Sequence, residues 1–305
     1  MINNRIRTVL REIVPEESVH YGCSLKEYTS FKIGGPADAL ITVNSIGQLE
    51  RLLYISRNED IPFFVIGKGT NLLIDDKGYR GFVIRLGDRF KEISIAGSYV
   101  NVGAGILMAK MVFTAARDNL GGIEHLAVIP GTVGGGITQN AGSSKKEIKT
   151  HLDSVEVLDI DQGVKRMTKG ELRMSYRSSI FKDKAKKNII LSARLTLEPR
   201  EFLTVKEDIK ERLIKRTGKL PLKFYNAGSI FKIPSNGIPP GKLIEEAGCK
   251  GLCVGDAEVS HKHANFIVNK GNAKFGEILE LIDSVRQRVM AASGTELELE
   301  VEVIH

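Results

Sequence analysis

Nine of the chain's 31 glycines fall between Gly103 and Gly142. Glycine loses more conformational freedom on ordering than any other residue, so this density is neither an ordinary helix nor an ordinary strand. It calls for tight turns, or for backbone that something approaches closely. The centre of the tract reads Ile129-Pro130-Gly131-Thr132-Val133-Gly134-Gly135-Gly136 and continues into Gln139-Asn140-Ala141-Gly142. From the residues alone it is either a packed turn where two backbones touch or a surface that receives a ligand.

A second glycine loop lies upstream. Gly67-Lys68-Gly69-Thr70-Asn71 follows directly on the apolar run Phe63–Ile66. Its glycines allow a sharp turn and can present successive N–H groups to an anion. It is not a P-loop, because GxxxxGK[ST] is absent, and not a dinucleotide GxGxxG, because the third glycine is missing. A tight turn after a strand is the plain alternative. Two such loops, each after a strand, fit a long diphosphate cofactor better than two unrelated turns.

Hydrophobic periodicity divides the remainder into three pieces of α/β or α+β character. In residues 1–86, Ile2, Ile6, Val9, Leu10 and Ile13 repeat at helical spacing. Asp38–Val43 reads as a strand, a helix follows through Ile46, Leu49, Leu52 and Leu53, and Pro62–Ile66 and Gly81–Leu86 read as short strands. In residues 87–198, Glu92–Ile95 and Tyr99–Val102 form a hairpin pattern, and a helix is predicted from about Ile106 to Asn119. Strands resume at Ser154–Ile160, Gly163–Met167 and Asn188–Leu197. In residues 199–305, Thr204-Val205-Lys206-Glu207 has the form of a capping box, with Gly218 beyond the end of its helix. Strand patterns at Ala264–Val268 and Leu297–Ile304 flank a helix through Phe275, Ile278, Leu279, Ile282, Val285 and Val289.

The chain has 305 residues, 42% of them hydrophobic and 27% charged, enough for a sizeable core and about two domains. It has no apolar run of about 18 residues to cross a membrane. Arg5, Arg7, Arg11 and Glu12 interrupt the apolar pattern of the first residues, which excludes a signal-peptide core there. Cys23, Cys249 and Cys253 are odd in number and too few for a disulfide framework, so a reducing, cytoplasmic setting is expected. The net charge is +7, and the stretch from Lys182 to Lys223, with 13 basic and 6 acidic residues, holds an excess of the same size. Such a patch suits an anionic partner: nucleic acid, phosphate or a membrane surface.

Other segments are less specific. Asn226-Ala227-Gly228-Ser229-Ile230-Phe231-Lys232 places a small hydroxyl in a turn before an apolar pair, without the GxSxG of a hydrolase elbow. Tyr176-Arg177-Ser178-Ser179 sets an arginine in a loop. His261-Lys262-His263 with Asp256 and Glu258 matches no standard zinc spacing, and no metal is expected. Glu296, Glu298, Glu300 and Glu302 alternate with Leu297, Leu299, Val301 and Val303, a half-buried strand whose periodicity singles out none of the four.

Together and in this order, the motifs resemble the UDP-N-acetylenolpyruvoylglucosamine reductase (MurB) family. The resemblance runs from Tyr28-Thr29-Ser30-Phe31-Lys32-Ile33-Gly34-Gly35-Pro36-Ala37 to Glu298-Leu299-Glu300-Val301, nearly the whole chain. It implies an FAD-binding unit of the vanillyl-alcohol-oxidase type in two α/β subdomains, residues 1–86 and 87–198. A C-terminal α+β substrate domain, residues 199–305, would follow. It implies non-covalent FAD, with NADPH as hydride donor, and reduction of UDP-N-acetylglucosamine enolpyruvate to UDP-N-acetylmuramate in peptidoglycan precursor synthesis. Carried over residue by residue, Arg177, Ser229 and Glu300 would be catalytic. Gly67, Lys68, Gly69, Thr70, Asn71 and Leu72 would form one cofactor loop. Pro130, Gly131, Gly134, Gly135, Gly136, Asn140, Ala141 and Gly142 would form the other. Tyr176, Lys219 and Asn226 would contact substrate. Val128, Gly136, Ser143-Ser144-Lys145 and Ile233 depart from the family's usual residues, and the length resembles its shorter branch, without an inserted tyrosine loop.

Two rivals define what would separate the readings. Another FAD oxidase or dehydrogenase would share the glycine loops but not the combination of Arg177, Ser229 and Glu300. A nucleic-acid-binding protein would use the stretch 182–223, yet the chain has no Trp and only 6% aromatic residues for base stacking. With NADPH and a UDP-sugar both polyanionic, steering of small ligands accounts best for the basic stretch.

Overall fold

The computed structural model describes residues 2–143, 146–183 and 188–305. Ser144 and Lys145, and Lys184, Lys186 and Lys187 of the basic stretch, lie outside the described residues. The helices are α1 (Asn4–Ile13), α2 (Ile46–Asn58), α3 (Met108–Arg117), α4 (Val133–Thr138), α5 (Phe202–Lys219), α6 (Pro240–Glu246) and α7 (Phe275–Ser293). Two compact units emerge, neither continuous in sequence. The first comprises Met1–Tyr21, Ala39–Gly67 and Arg80–Ile214; the second comprises Gly22–Asp38, Lys68–Tyr79 and Lys215–His305.

The first unit holds two sheets. One runs in the order Val19–Tyr21, Ala37–Val43, Tyr79–Leu86, Phe63–Val65, its last pair parallel. Alternation along Ala37–Val43 turns Ala39, Ile41 and Val43 onto the face where α1 and α2 deliver Ile6, Leu10, Leu49, Leu52 and Leu53. Side-chain oxygens start both helices: Asn3 accepts the Ile6 N–H at 3.0 Å and Ser45 accepts the Gln48 N–H at 3.1 Å. The other sheet has five antiparallel strands, ordered Gly163–Thr168, Leu152–Asp159, Ile189–Thr196, Tyr99–Gly103, Ile93–Ala96. Its core packs Val100, Val102, Val155, Val157 and Leu195 against Met111, Val112 and Ala115 of α3, Ile137 of α4, and Val205 and Ile209 of α5.

In the second unit, Cys253–Val254, Ala257–Val259 and Ile267–Asn269 form an antiparallel sheet. Leu243 and Ile244 of α6 and Ile278, Leu281, Ile282 and Val285 of α7 share one core with Phe31, Ile33, Leu73, Ile230 and Phe231. The early segments enter by hydrogen bonds: Asn269 Nδ2 donates to the Phe31 carbonyl at 2.9 Å, and the Phe275 N–H donates to Asp76 Oδ2 at 2.8 Å, opening α7. Glu302–Ile304 lies parallel to Leu72–Ile74.

Several expectations shift, among them the strand expected at Ala264–Val268, which is Ile267–Asn269. The helix expected from Thr204 begins at Phe202, whose N–H donates to Asn119 Oδ1 at 3.1 Å. Gly218, expected past the helix end, lies inside α5. Of Leu297–Ile304 only Glu302–Ile304 is strand, with Leu299 making an isolated bridge to Phe231.

Candidate active site

In the first unit Gly67, the last residue there of the upstream stretch, meets the longer glycine tract. A Cβ on Gly67 would lie 2.5 Å from Thr132 Oγ1, so a side chain there displaces the threonine. Thr132 Oγ1 also accepts the Gly135 N–H at 3.4 Å, capping α4. The N–H groups of Val133, Gly134 and Gly136 are used inside the fold, by Ile106, Ala104 and Thr132 carbonyls at 2.8, 2.9 and 2.8 Å. Those of Gly67, Gly131 and Thr132 donate to no acceptor among the described residues, and Gly67 is exposed. Backbone donors gathered around one threonine side chain are what the oxygens of a diphosphate need, so this corner fits such a group. Pro130 is the exposed residue leading into it, and Gly134, Gly135 and Gly136 lie within α4.

The stretch after α4 does something else. Asn140 is completely buried, and Ala141 nearly so. Gly142 pairs with Glu147 across a short hairpin. This stretch carries the Arg177 turn, in which Ser175 and Ser178 exchange both backbone hydrogen bonds at 3.1 Å. Arg177 sits at the tip with φ of 51°. Its Nη2 donates to the Gly142 carbonyl at 3.1 Å and its guanidinium lies 5.3 Å from the Tyr176 ring centre. Lys182 Nζ donates to Gln139 Oε1 at 3.1 Å and to the Arg177 carbonyl at 3.4 Å.

In the second unit Ser229 and Glu300 come together. Gly228, at φ of 82°, turns the chain into Ser229. The Glu300 N–H then donates to the Ile230 carbonyl at 2.8 Å, and Phe231 bridges Leu299. Asn71 Nδ2 donates to the Glu300 carbonyl at 2.9 Å, and the Asn71 carbonyl accepts the Glu302 N–H at 2.9 Å, so Asn71 clamps the Glu300 segment on both sides. Lys68 is exposed and Thr70 half-buried, while Leu72 opens the strand that follows. Gly69 has φ of 57° and its carbonyl accepts the Ser30 N–H at 3.1 Å. Asn226 spends its amide on its own turn, donating to the Phe224 carbonyl at 2.8 Å and accepting the Gly228 N–H at 3.0 Å. Lys219 is the exposed last residue of α5, and its side chain has no hydrogen bond or ion pair among the described residues.

Residues to which the motifs gave no role also shape the site. Asn265, buried, donates to and accepts from the Phe231 backbone at 2.9 and 3.0 Å and so fixes the segment leaving Ser229. Ser30 Oγ donates to the Asn226 carbonyl at 2.7 Å. Neither carries a spacing signal, because its partner is remote in sequence. The basic stretch also resolves into individual roles: Arg194 Nε donates to Asn101 Oδ1 at 3.0 Å, and Arg200 bridges Glu124 and Asp208 at 2.7 and 2.8 Å.

Burial sets the electrostatics behind the glycine tract. Glu124 is 2% exposed; burial pushes its carboxyl up, but the Gly122 N–H at 2.8 Å and Arg200 outweigh that and hold it below the usual range. His125, 1% exposed, has no hydrogen-bond partner for either ring nitrogen among the described residues. Burial, then the charges of Arg212, His151 and Lys146, depress it to about 4, against a smaller opposing effect of Glu124.

Residues 37–168 match a family described as an FAD binding domain, and residues 220–304 match the C-terminal domain of UDP-N-acetylenolpyruvoylglucosamine reductase. The chain is 39% identical to the UDP-N-acetylenolpyruvoylglucosamine reductase of Caldanaerobacter subterraneus subsp. tengcongensis, covering 97% of this chain and 96% of that one. It is 41% identical to that of Clostridium tetani, covering 97% and 95%. The crystal structure of the Thermus caldophilus UDP-N-acetylenolpyruvylglucosamine reductase superposes with a TM-score of 0.80 at 37% identity, covering 94% of this chain and 99% of that one. Among the described residues no helix is long and apolar enough to cross a membrane.

Proposed function

This chain belongs to the UDP-N-acetylenolpyruvoylglucosamine reductase family, and from that premise we propose that it reduces UDP-N-acetylglucosamine enolpyruvate to UDP-N-acetylmuramate in the cytoplasm, with NADPH as reductant, for peptidoglycan precursors. The observation that carries the reading is the direct pairing of the Ser229 and Glu300 segments, by the Glu300 N–H to Ile230 carbonyl bond of 2.8 Å. FAD, when bound, supplies a two-electron carrier between NADPH and the enolpyruvyl group.

The chain's own residues do the rest. Gly67, Gly131 and Thr132 would hold the cofactor's diphosphate through their N–H groups. Negative charge grows toward the substrate carboxylate when the enolpyruvyl terminal carbon gains hydride. The Arg177 guanidinium, tied to the Gly142 carbonyl, is the group to stabilise it. Ser229 Oγ, which has no partner among the described residues, then donates a proton to the carbon bearing the ether oxygen. Glu300 completes the polar network as an acid or an orienting partner. Residues 1–86 and 87–198 are the two parts of the cofactor unit in this proposal, and 199–305 the substrate part, with Tyr176, Lys219 and Asn226 as substrate contacts. The chain would belong to the family's shorter branch.

Stopped-flow flavin absorbance tests this with NADPH first and the enolpyruvyl substrate second. In Ser229→Ala, NADPH still bleaches the flavin, while reoxidation by substrate slows by about 10²–10⁴-fold. Unchanged reoxidation would remove Ser229 from the mechanism. A chain that gains no flavin absorbance on reconstitution with FAD would overturn the reading as a whole.

A further inference from the structure

Asn140 lies in the glycine-rich tract, yet its amide faces inward. It is 0% exposed and adopts φ of 44°, a left-handed conformation that Asn tolerates better than other side chains. Both ends of the amide are occupied. Nδ2 donates to the Ser175 carbonyl at 2.8 Å, and Oδ1 accepts the Lys149 N–H at 3.3 Å. The partner of Nδ2 is the first residue of the Arg177 turn.

That turn is short and strained. Arg177 holds φ of 51° between the reciprocal bonds of Ser175 and Ser178, and a left-handed non-glycine residue persists only where its surroundings fix it. Segment 138–142 provides fixed points along its length. Besides the Asn140 bond, Ser179 Oγ donates to the Thr138 carbonyl at 2.7 Å and Arg177 Nη2 to the Gly142 carbonyl at 3.1 Å. Asn140 anchors the turn's entrance with a buried side chain that is itself gripped from the other side.

We propose that Asn140 is a positioning residue for Arg177, its amide holding the Ser175–Ser178 turn so that the guanidinium is set for the substrate carboxylate, and that it is not a cofactor contact. The inference rests on the reading of Arg177 as catalytic. Glycine accepts φ of 44° at no steric cost, so Asn140→Gly removes the amide while sparing the backbone. Asn140→Asp keeps the shape and the acceptor for Lys149 but turns a second oxygen on the Ser175 carbonyl.

The experiment uses FAD-loaded enzyme and separates the two half-reactions by stopped flow, for wild type, Asn140→Gly, Asn140→Asp, Arg177→Ala and Asn140→Gly/Arg177→Ala. Both Asn140 variants retain flavin and are bleached by NADPH within about twofold of wild type. Their reoxidation by the enolpyruvyl substrate slows by about 10- to 100-fold, the cost of a misplaced catalytic group. Adding Asn140→Gly to Arg177→Ala slows reoxidation no further, because the amide acts through the guanidinium; a merely structural role would give multiplying effects. Multiplying effects overturn the proposal. So does loss of flavin with normal reoxidation at saturating FAD, which would make Asn140 a cofactor contact. If Arg177→Ala alone reoxidises normally, the assignment of Arg177 fails, and this inference with it. Should Asn140→Asp not fold, Asn140→Gly and the double variant decide the matter.

Discussion

His125 gives the chain a pH sensitivity that can be worked out in advance. The ring is buried and neutral, without a partner for either nitrogen among the described residues, and titrates at about 4 in the fold against 6.5 when unconstrained. The unfolded chain therefore binds a proton that the folded one refuses, and stability falls as pH drops from 6.5 towards 4. With those two values the loss is negligible at about pH 7.5, about 2 kcal/mol at about pH 5 and about 3 kcal/mol below pH 4. Arg212, His151 and Lys146 act in the same direction as burial, and Glu124 against it. His125→Phe keeps an aromatic ring of similar size and removes the titration. At neutral pH the variant stays within about 1 kcal/mol of wild type, since no existing hydrogen bond is lost. Urea unfolding of both proteins at pH 7.5 and pH 5.0, with FAD saturating, should show wild type losing about 2 kcal/mol more than the variant across that interval. Parallel losses in the two proteins would refute the reasoning, because the ring would then be charged or solvated within the fold.

Gly67→Val should push on Thr132 and crowd the three backbone donors, raising the FAD dissociation constant about tenfold or more, measured by flavin titration; an unchanged constant would remove that corner from the cofactor site. Gly69→Ala places a Cβ against the Tyr28 carbonyl at φ of 57°. It should cost at least about 1–2 kcal/mol in urea unfolding, and an unshifted midpoint would contradict the left-handed strain. Glu124→Gln should destabilise by about 1–3 kcal/mol, less than a fully buried pair because Arg200 is partly exposed and keeps Asp208. Because Glu124's carboxyl is held below its ordinary value, that contribution is present above the unfolded value and fades as pH falls through the folded one. The variant should therefore differ least from wild type in acid.

Local pattern identified the elements that local forces build. The helix at Phe275–Ser293 and the five-stranded sheet follow apolar periodicity, and Gly294 at φ of 64° closes the helix as a left-handed glycine does. The start of α5 was not legible, because Asn119, 83 positions earlier, fixes it. Nor could the sequence show that Phe31 and Leu73 belong with α7, since hydrogen bonds such as Asn269 to Phe31 span 238 positions. The glycine loops announced a close approach, and Gly67 against Thr132 is one. The roles of Arg177, Ser229 and Glu300 came from family resemblance, for nothing in an Arg loop, a Ser turn or alternating Glu marks them out. Motifs drew attention to Asn71 and Asn140, but the hydrogen-bond partners of these two and of Asn265 were not legible for the same reason as that of Asn119: they are remote in sequence.

The clamp of Asn71 on Glu300 also bears on how the protein is made. The two residues lie 229 positions apart, and a ribosome adding about 5–20 residues per second needs roughly 10–45 s to deliver the second after the first. Throughout that interval Leu72–Ile74 has been synthesised but its parallel partner Glu302–Ile304 has not. The first unit, whose segments are all present by Ile214, can close while this edge still waits. The nascent chain thus carries an open strand edge, the kind of surface that invites pairing with other chains. Slower translation of the final third should lengthen that exposure and lower the soluble yield.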